Sequence, residues 1–148
     1  ALLINSSTRD EFYASKGRGA YLNNSRIRTS SIGSVENSTL GTQFPGTDKL
    51  ASLMNSQFNT LKEVAEKGAR VMMQDSPALM LANVAAGKLD AVWAMKLFEW
   101  ETQAPLFIAK EAGCLFADFN GSPNIGDSVL CANPRLFKTL LPVLNKHF

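Results

Sequence analysis

Apolar residues follow two rhythms along this chain, and the change between them divides it. Up to about residue 30 the apolar runs are short and separated by turn formers. Ala1 to Ile4 is one run and Glu11 to Ala14 a second, with the turn-rich Asn5-Ser6-Ser7-Thr8-Arg9-Asp10 between them, which predicts a hairpin or meander. Gly17-Arg18-Gly19 turns the chain into Ala20-Tyr21-Leu22. Asn23-Asn24-Ser25 then makes a tight turn into Arg26-Ile27-Arg28, an alternation that suits an edge strand. The serine-rich stretch from Thr29 to Ser38 is a connector and the clearest internal boundary.

Beyond that boundary helical and strand patterns alternate. Ser38 to Phe44 reads as a strand closed by Pro45-Gly46. Asp48 to Lys67 places Leu50, Leu53, Met54, Phe58, Leu61, Val64 and Ala65 at helical spacing, and Gly68 ends the helix. Ala69 to Met73 is a short strand. Ser76 can cap a helix with Pro77 at its first position, and Gly87 stands where a left-handed cap belongs. Leu89 to Met95 is the next strand, and a helix from about Thr102 to Ala112 is closed by Gly113. Cys114 to Phe119 and Ser128 to Ala132 read as strands, and Leu136 to Asn145 as a final amphipathic helix. Strands first and alternation afterwards predict a layered α/β lobe over residues 31–148, a mixed sheet flanked by helices, joined to an antiparallel strand segment over residues 1–30.

Composition narrows this only a little. At 148 residues the chain can bury a core of its own, and 45% hydrophobic with 19% charged residues is the balance of a globular protein. A net charge of +2 gives no reason to expect nucleic acid or membrane as a partner. The first thirty residues are more basic, with Arg9, Lys16, Arg18, Arg26 and Arg28 against Asp10 and Glu11, and read as a solvated hairpin surface because no aromatic ladder is evident beside them. Cys114 and Cys131 lie in apolar runs without Cys-x-x-Cys spacing, so buried free thiols and a reducing, cytoplasmic setting are expected. No apolar run approaches the length of about eighteen residues that a membrane helix needs. The opening Ala-Leu-Leu-Ile carries no signal-peptide features and reads as a strand entered midway, as in a fragment or a processed chain.

The candidate chemistry is sparse. There is neither a dinucleotide-binding glycine motif nor a Walker loop, and Gly17 with Gly19 sits in a hairpin context, where a phosphate cradle is the minor reading. His147, the single histidine, is penultimate and reads as part of a frayed terminus, which argues against a Ser-His-Asp triad and a His-rich metal site. Carboxylates remain, and a hard cation such as Mg²⁺ prefers oxygen ligands. Glu101 follows Trp100 at the start of a helix, where it could hold a metal or simply complement the helix dipole. Asp75 beside Ser76 carries the same ambiguity, with capping the commoner role. Asp90 reads as a turn or packing residue and Asp118, in Asp-Phe-Asn-Gly, as a turn residue.

Four segments in order carry a resemblance. Arg9 through Asn23 resembles R-x-E-x-F-x-A-x-x-G-x-G-A-x-x-N, and Val84-Ala85-Ala86-Gly87-Lys88-Leu89-Asp90-Ala91 resembles V-A-x-G-x-x-D-A. Trp100-Glu101 with Glu111-Ala112-Gly113 resembles W-D-x-A-A…E-A-G-G, and Cys131-Ala132-Asn133-Pro134 resembles A-x-N-P. Together they are similar to the C-terminal portion of the inositol monophosphatase family of Mg²⁺-dependent sugar phosphatases, across essentially the whole chain. The resemblance implies phosphomonoester hydrolysis by two or three Mg²⁺ ions that clamp phosphate and activate water. It also implies a small phosphorylated polyol or sugar as substrate, and a homodimer. Most metal ligands would come from G-x-x-x-E-E and D-P-x-D-G-T segments that these residues do not contain.

What the resemblance assigns here is altered at each place. The ligand aspartate is Glu101, the G-S/T-A turn is Asp75-Ser76-Pro77, the basic residues before that turn are Met72 and Met73, and the acidic sugar ligand falls at Ala94. The expectation is therefore Glu101 as the metal ligand, with Asp75, Ser76, Pro77 and Ala94 at the substrate pocket. No catalytic residue lies in this portion, and these residues alone should show no activity. A non-catalytic regulatory or binding relative, or a nucleotide or bisphosphate phosphatase of the same superfamily, is the alternative. The first strands should leave an exposed sheet edge and promote self-association.

Overall fold

A computed structural model of the chain describes residues 1–44 and 51–148. The first four strands, β1 (Leu2–Asn5), β2 (Asp10–Ser15), β3 (Gly19–Leu22) and β4 (Ser25–Ile27), form an antiparallel meander in sequence order. Asn23 and Asn24, both at positive φ (48° and 67°), make the two-residue turn between β3 and β4, a conformation that asparagine tolerates better than most residues. After the connector come β5 (Thr39–Thr42), α1 (Ala51–Glu66), β6 (Arg70–Met73), α2 (Pro77–Ala85), β7 (Ala91–Met95), α3 (Glu99–Glu111), β8 (Leu115–Ala117), β9 (Ser128–Ala132) and α4 (Pro134–His147). They build a mixed sheet in the order β6-β5-β7-β9-β8, with β6, β5 and β7 mutually parallel and β9 antiparallel to both its neighbours.

The elements stack in four layers. Phe12, Ala14 and Ala20 of the meander share one apolar cluster with Met80, Leu81 and Val84 of α2, Ile108 and Ala109 of α3, and Val92, Ala94 and Val129 of the mixed sheet. Leu40, Trp93, Met95 and Leu130 on the opposite face pack against Val64 of α1 and Leu136, Leu140 and Leu144 of α4. Strand β7 is consequently buried at all five positions, Ala91, Trp93 and Met95 facing one helical layer and Val92 and Ala94 the other. The indole N–H of Trp93 donates to Gln57 Oε1 at 2.8 Å, and Gln57 Nε2 donates to Thr42 Oγ1 at 3.0 Å, so both ends of the Gln57 amide buried under α1 are paired.

Helix ends follow the punctuation of the sequence. Gly68, Gly87 and Gly113 take φ of 88°, 70° and 93°, and each closes its helix with the same pair of backbone bonds, seen after α2 as Lys88 N–H to Asn83 O and Gly87 N–H to Val84 O. Asp90 is a packing residue, its Oδ2 accepting from Thr39 N–H at 2.7 Å, and Asp118 Oδ1 accepts from Asn120 and Ser122 N–H in a turn. Both cysteines are free and buried. The expected Pro45-Gly46 closure and the Asp48 and Leu50 start of the first helix lie outside the described residues. Among those described, no helix is long and apolar enough to cross a membrane.

Two expectations change. The second crossover helix begins at Glu99 rather than near Thr102, which moves Glu101 one turn into it. His147 is not a frayed terminus: it is the last residue of α4, and its Nε2 lies 2.7 Å from Glu63 Oε2 on α1. Glu63 also accepts from Lys67 at 2.9 Å and Lys146 at 3.2 Å. These partners, Lys67 first, lower its pKa from 4.5 to about 2. A depressed carboxylate stabilises the fold above its ordinary range and loses that contribution as pH falls toward the folded value. Thermal melts of the wild type are expected to lose stability between pH 4.5 and about 2, and Glu63→Gln to flatten part of that limb. An acid limb identical in the two proteins would refute the role given to Glu63.

Candidate functional site

Strands β5, β6 and β7 are parallel, so the helices that leave β6 and β7 both start from the same edge of the mixed sheet, the edge at which open α/β folds bind ligands. Ser76 caps α2, its Oγ accepting from Leu79 N–H at 3.3 Å, and Pro77 occupies the first helical position, where its missing N–H costs nothing. Asp75, exposed, precedes this cap without making it. Beside the start of α2 lies a cavity of about 300 Å³, bounded on one side by Leu3, Ile4, Asn5 and Ser6 and on the other by Ser76, Ala78 and Leu79. The crevice joins the two sheets' edges and combines polar groups with the positive end of a helix.

Glu101 belongs to the other helix start. Its Oε2 accepts from the N–H of Phe98 at 2.9 Å, closing back on the residue that begins the helix. A glutamate three positions after the cap residue is the one that makes this return bond. Glu99 is on the same turn, where Phe98 and Trp100 stack with ring centres 6.1 Å apart and are 64% and 75% exposed. Ala94 is wholly buried in the cluster between β7 and the crossover helices, outside the lining of the cavity. Met72 and Met73 are half exposed at the end of β6. The structure thus brings Asp75, Ser76, Pro77 and Glu101 to one edge and puts Ala94 in the packing beneath it.

The residues present do not by themselves fit a magnesium site. Among the described residues no group of three His, Cys, Asp or Glu side chains converges as metal ligands would, and one oxygen of Glu101 is engaged by the backbone. The edge carries Asp75, Glu99 and Glu101, so phosphate would meet negative charge there unless a cation came with it. Asn5 and Ser6, which read in the sequence only as turn formers, are the polar groups facing Ser76 across the cavity; only the register of β1 against the rest of the fold reveals them.

The glycine pair at the turn between β2 and β3 does form an anion cradle, and the chain fills it. Gly17 N–H donates to both oxygens of Glu111 and Gly19 N–H to Oε2, all at 3.1 Å. Gly17 and Gly19 take φ of 73° and 81°, which turns their N–H groups toward the end of α3. The expected minor reading, a phosphate cradle, is corrected to a carboxylate latch between the meander and α3. Glu111→Gln should lower stability by about 1 kcal/mol, a shift of roughly 2–4 °C in Tm, and speed amide exchange at Gly17 and Gly19. Unchanged exchange at both amides would show that the latch holds nothing.

A sequence profile described as the inositol monophosphatase family matches residues 3–147. The chain is 35% identical to a Nus factor SuhB of Pseudomonas aeruginosa, covering 99% of this chain and 55% of that protein. It is 30% identical to an inositol-1-monophosphatase of Rhizobium meliloti, with the same two coverages. The crystal structure of an extragenic suppressor protein suhB from Bartonella henselae superimposes with a TM-score of 0.91 at 26% identity, covering 99% of this chain and 56% of that one. The chain spans about half the length of the curated relatives it matches.

Proposed function

Because the chain belongs to the inositol monophosphatase family, we propose that it is the carboxyl-terminal lobe of a Mg²⁺-dependent phosphomonoesterase acting on a small sugar or polyol phosphate. The lobe corresponds to residues 31–148, and residues 1–30 belong to a sheet that extends beyond the chain. Asp75, Ser76 and Pro77 form the substrate side, Glu101 supplies one metal ligand, and the remaining carboxylates come from outside these 148 residues. Mg²⁺ would supply Lewis-acid activation of water and phosphate. Ser76 and the first turn of α2 would orient the substrate, while Ala94 supports the pocket only through packing. The observation that carries this reading is the cavity at the carboxyl edge of the parallel strands, with the Ser76-capped helix on one side and Asn5 and Ser6 on the other.

A second reading has its own support. Several of the curated relatives are named Nus factors, and Asp75, Met72 and Met73 replace the groups that would welcome an anion. In that reading the family scaffold serves a regulatory or binding role in the cytoplasm, and the site has lost its chemistry.

Two assays test the proposal, and the second separates the readings. The purified chain is expected to release no phosphate from polyol monophosphates with Mg²⁺, and release abolished by Glu101→Ala would contradict this. Residues 1–148 substituted for the matching stretch of the Rhizobium inositol-1-monophosphatase should give a Mg²⁺-dependent phosphatase, and Glu101→Ala should reduce its kcat by roughly a hundredfold or more. A folded but inactive chimera would favour the regulatory reading.

A further inference from the structure

Cys114 and Cys131 are the two cysteines of the chain, and the fold brings them together. Cys131 lies in β9, where the register sets Phe116 of β8 opposite it. Successive side chains alternate between the faces of a sheet, so Cys114, two positions before Phe116, falls on the face of Cys131 as its diagonal neighbour. Both belong to the apolar layer under α2 and α3, and their thiols hydrogen-bond each other. They are not equivalent. Cys131 is fully buried, whereas Cys114 retains 5% exposure, immediately before a three-residue strand at the edge of the sheet. Cys114 also stands beside Thr29, whose buried hydroxyl has no hydrogen-bond partner among the described residues while the cysteines are thiols. A thiolate at Cys114 would give that hydroxyl an acceptor. The bond from the Cys131 thiol, with Thr29 adding to it, holds Cys114 below the ordinary thiol range in spite of burial. The same bond, burial and the Cys114 charge push Cys131 well above that range.

We propose that Cys114 and Cys131 form a peroxide-responsive pair, in which Cys114 is the sulfur that is oxidised and Cys131 the one that closes a disulfide upon it. A buried thiol ordinarily packs as a small apolar group and is inert. Two features here go beyond packing: a second thiol in contact with the first, and a hydroxyl held in the core with nothing to bond. Both favour negative charge on the sulfur nearer solvent. The Cys114 thiolate attacks one oxygen of hydrogen peroxide, the O–O bond breaks, and a sulfenic acid forms as hydroxide leaves. The proton given up by Cys114 turns that hydroxide into water. The Cys131 sulfur then attacks the sulfenic sulfur, the S–O bond breaks, and the oxygen departs with the Cys131 proton as a second water. The sulfurs must close to the S–S length of about 2 Å. The ladder of β8 starts at Leu115, so Cys114 can shift toward β9 without breaking a strand pair. Small thiols reverse the bond by exchange, as a reducing compartment requires. The proposal is independent of the reading given to the phosphate site.

The test is mass spectrometry of the reduced, folded chain after brief exposure to hydrogen peroxide, with the cysteine peptides mapped. The Cys114 and Cys131 peptides should be linked within one chain, lighter by about 2 Da than their sum, and dithiothreitol should separate them. Cys131→Ser should leave a sulfenic acid on Cys114 that dimedone traps, and Cys131→Ala should trap the same adduct if the buried serine unsettles the core. Cys114→Ser should slow oxidation of the remaining thiol roughly tenfold or more. Thr29→Val keeps the shape and removes the hydroxyl, and should slow sulfenic acid formation about threefold while the disulfide still forms. Far-ultraviolet circular dichroism checks that each variant is folded. Cysteines that react only once urea has unfolded the chain, a sulfenic acid found first on Cys131, or bridges formed only between chains would each overturn the proposal. An unchanged rate in Thr29→Val would remove the part given to that hydroxyl.

Discussion

Helix α2 is flanked by a β-sheet on either side, which leaves its nine residues almost no polar face. Pro77, Met80, Leu81, Ala82, Val84 and Ala85 are all buried, so its apolar surface runs round the helix and is not confined to a stripe. Three of its residues are alanines, and their small side chains let both sheets approach. Gly41 answers from below: a Cβ there would come within 2.9 Å of Val92, 3.0 Å of Leu89 and 3.3 Å of Met80. A side chain at residue 41 would have to displace the side chains of Val92, Leu89 and Met80 where α2 packs on the sheet. The position of the cavity follows, because Ser76 and Ala78 can face Asn5 and Ser6 only while α2 is held between the two sheets.

The latch at the end of α3 is the complement of this packing. Burial between layers is nondirectional and fixes distance better than orientation. The bonds from Gly17 and Gly19 to Glu111 are directional, and they pin the hairpin to one turn of one helix. Thr29 N–H, donating to Ala112 O at 3.1 Å, anchors the start of the connector one residue further along. The two sheets are thus joined at both ends of their shared helical layer, by α2's cap and cavity at one end and by α3's final turn at the other.

What could be read in the sequence was local, and what could not was set by partners distant along the chain. The ends of α1, α2 and α3 were legible because glycine is the residue that a left-handed cap demands, and the Ser76-Pro77 start was legible for the corresponding reason. The start of α3 was misplaced because Phe98 has no capping side chain; the helix is begun by a bond from Phe98 N–H to a glutamate that comes after it. Glu111 and the glycines it binds are more than ninety residues apart, and Glu63 and His147 more than eighty, so no window along the chain contains either pair. The stacking of Tyr13 on Tyr21 escaped notice because an aromatic ladder across strands exists only once the register is known. The depth of Ala94 was likewise illegible, because a position carried over from a family pattern comes without its depth in the sheet.

Glu101 shows how one methylene ties structure to chemistry. At the third position of a helix, glutamate can reach back to the N–H of the residue that begins it, and here it does, at 2.9 Å. That bond stabilises the turn carrying Trp100, and it aims Oε2 at the protein's own backbone. The other oxygen is free of this bond, and Oε2 keeps a second lone pair beside it. If Glu101 ligates a divalent ion, as proposed, the free oxygen can do so with the cap intact, and a geometry that turned Oε2 away from the Phe98 N–H would give up a charge-assisted hydrogen bond of about 1–2 kcal/mol. The bond that starts the helix thus also restrains the carboxylate proposed here as a metal ligand.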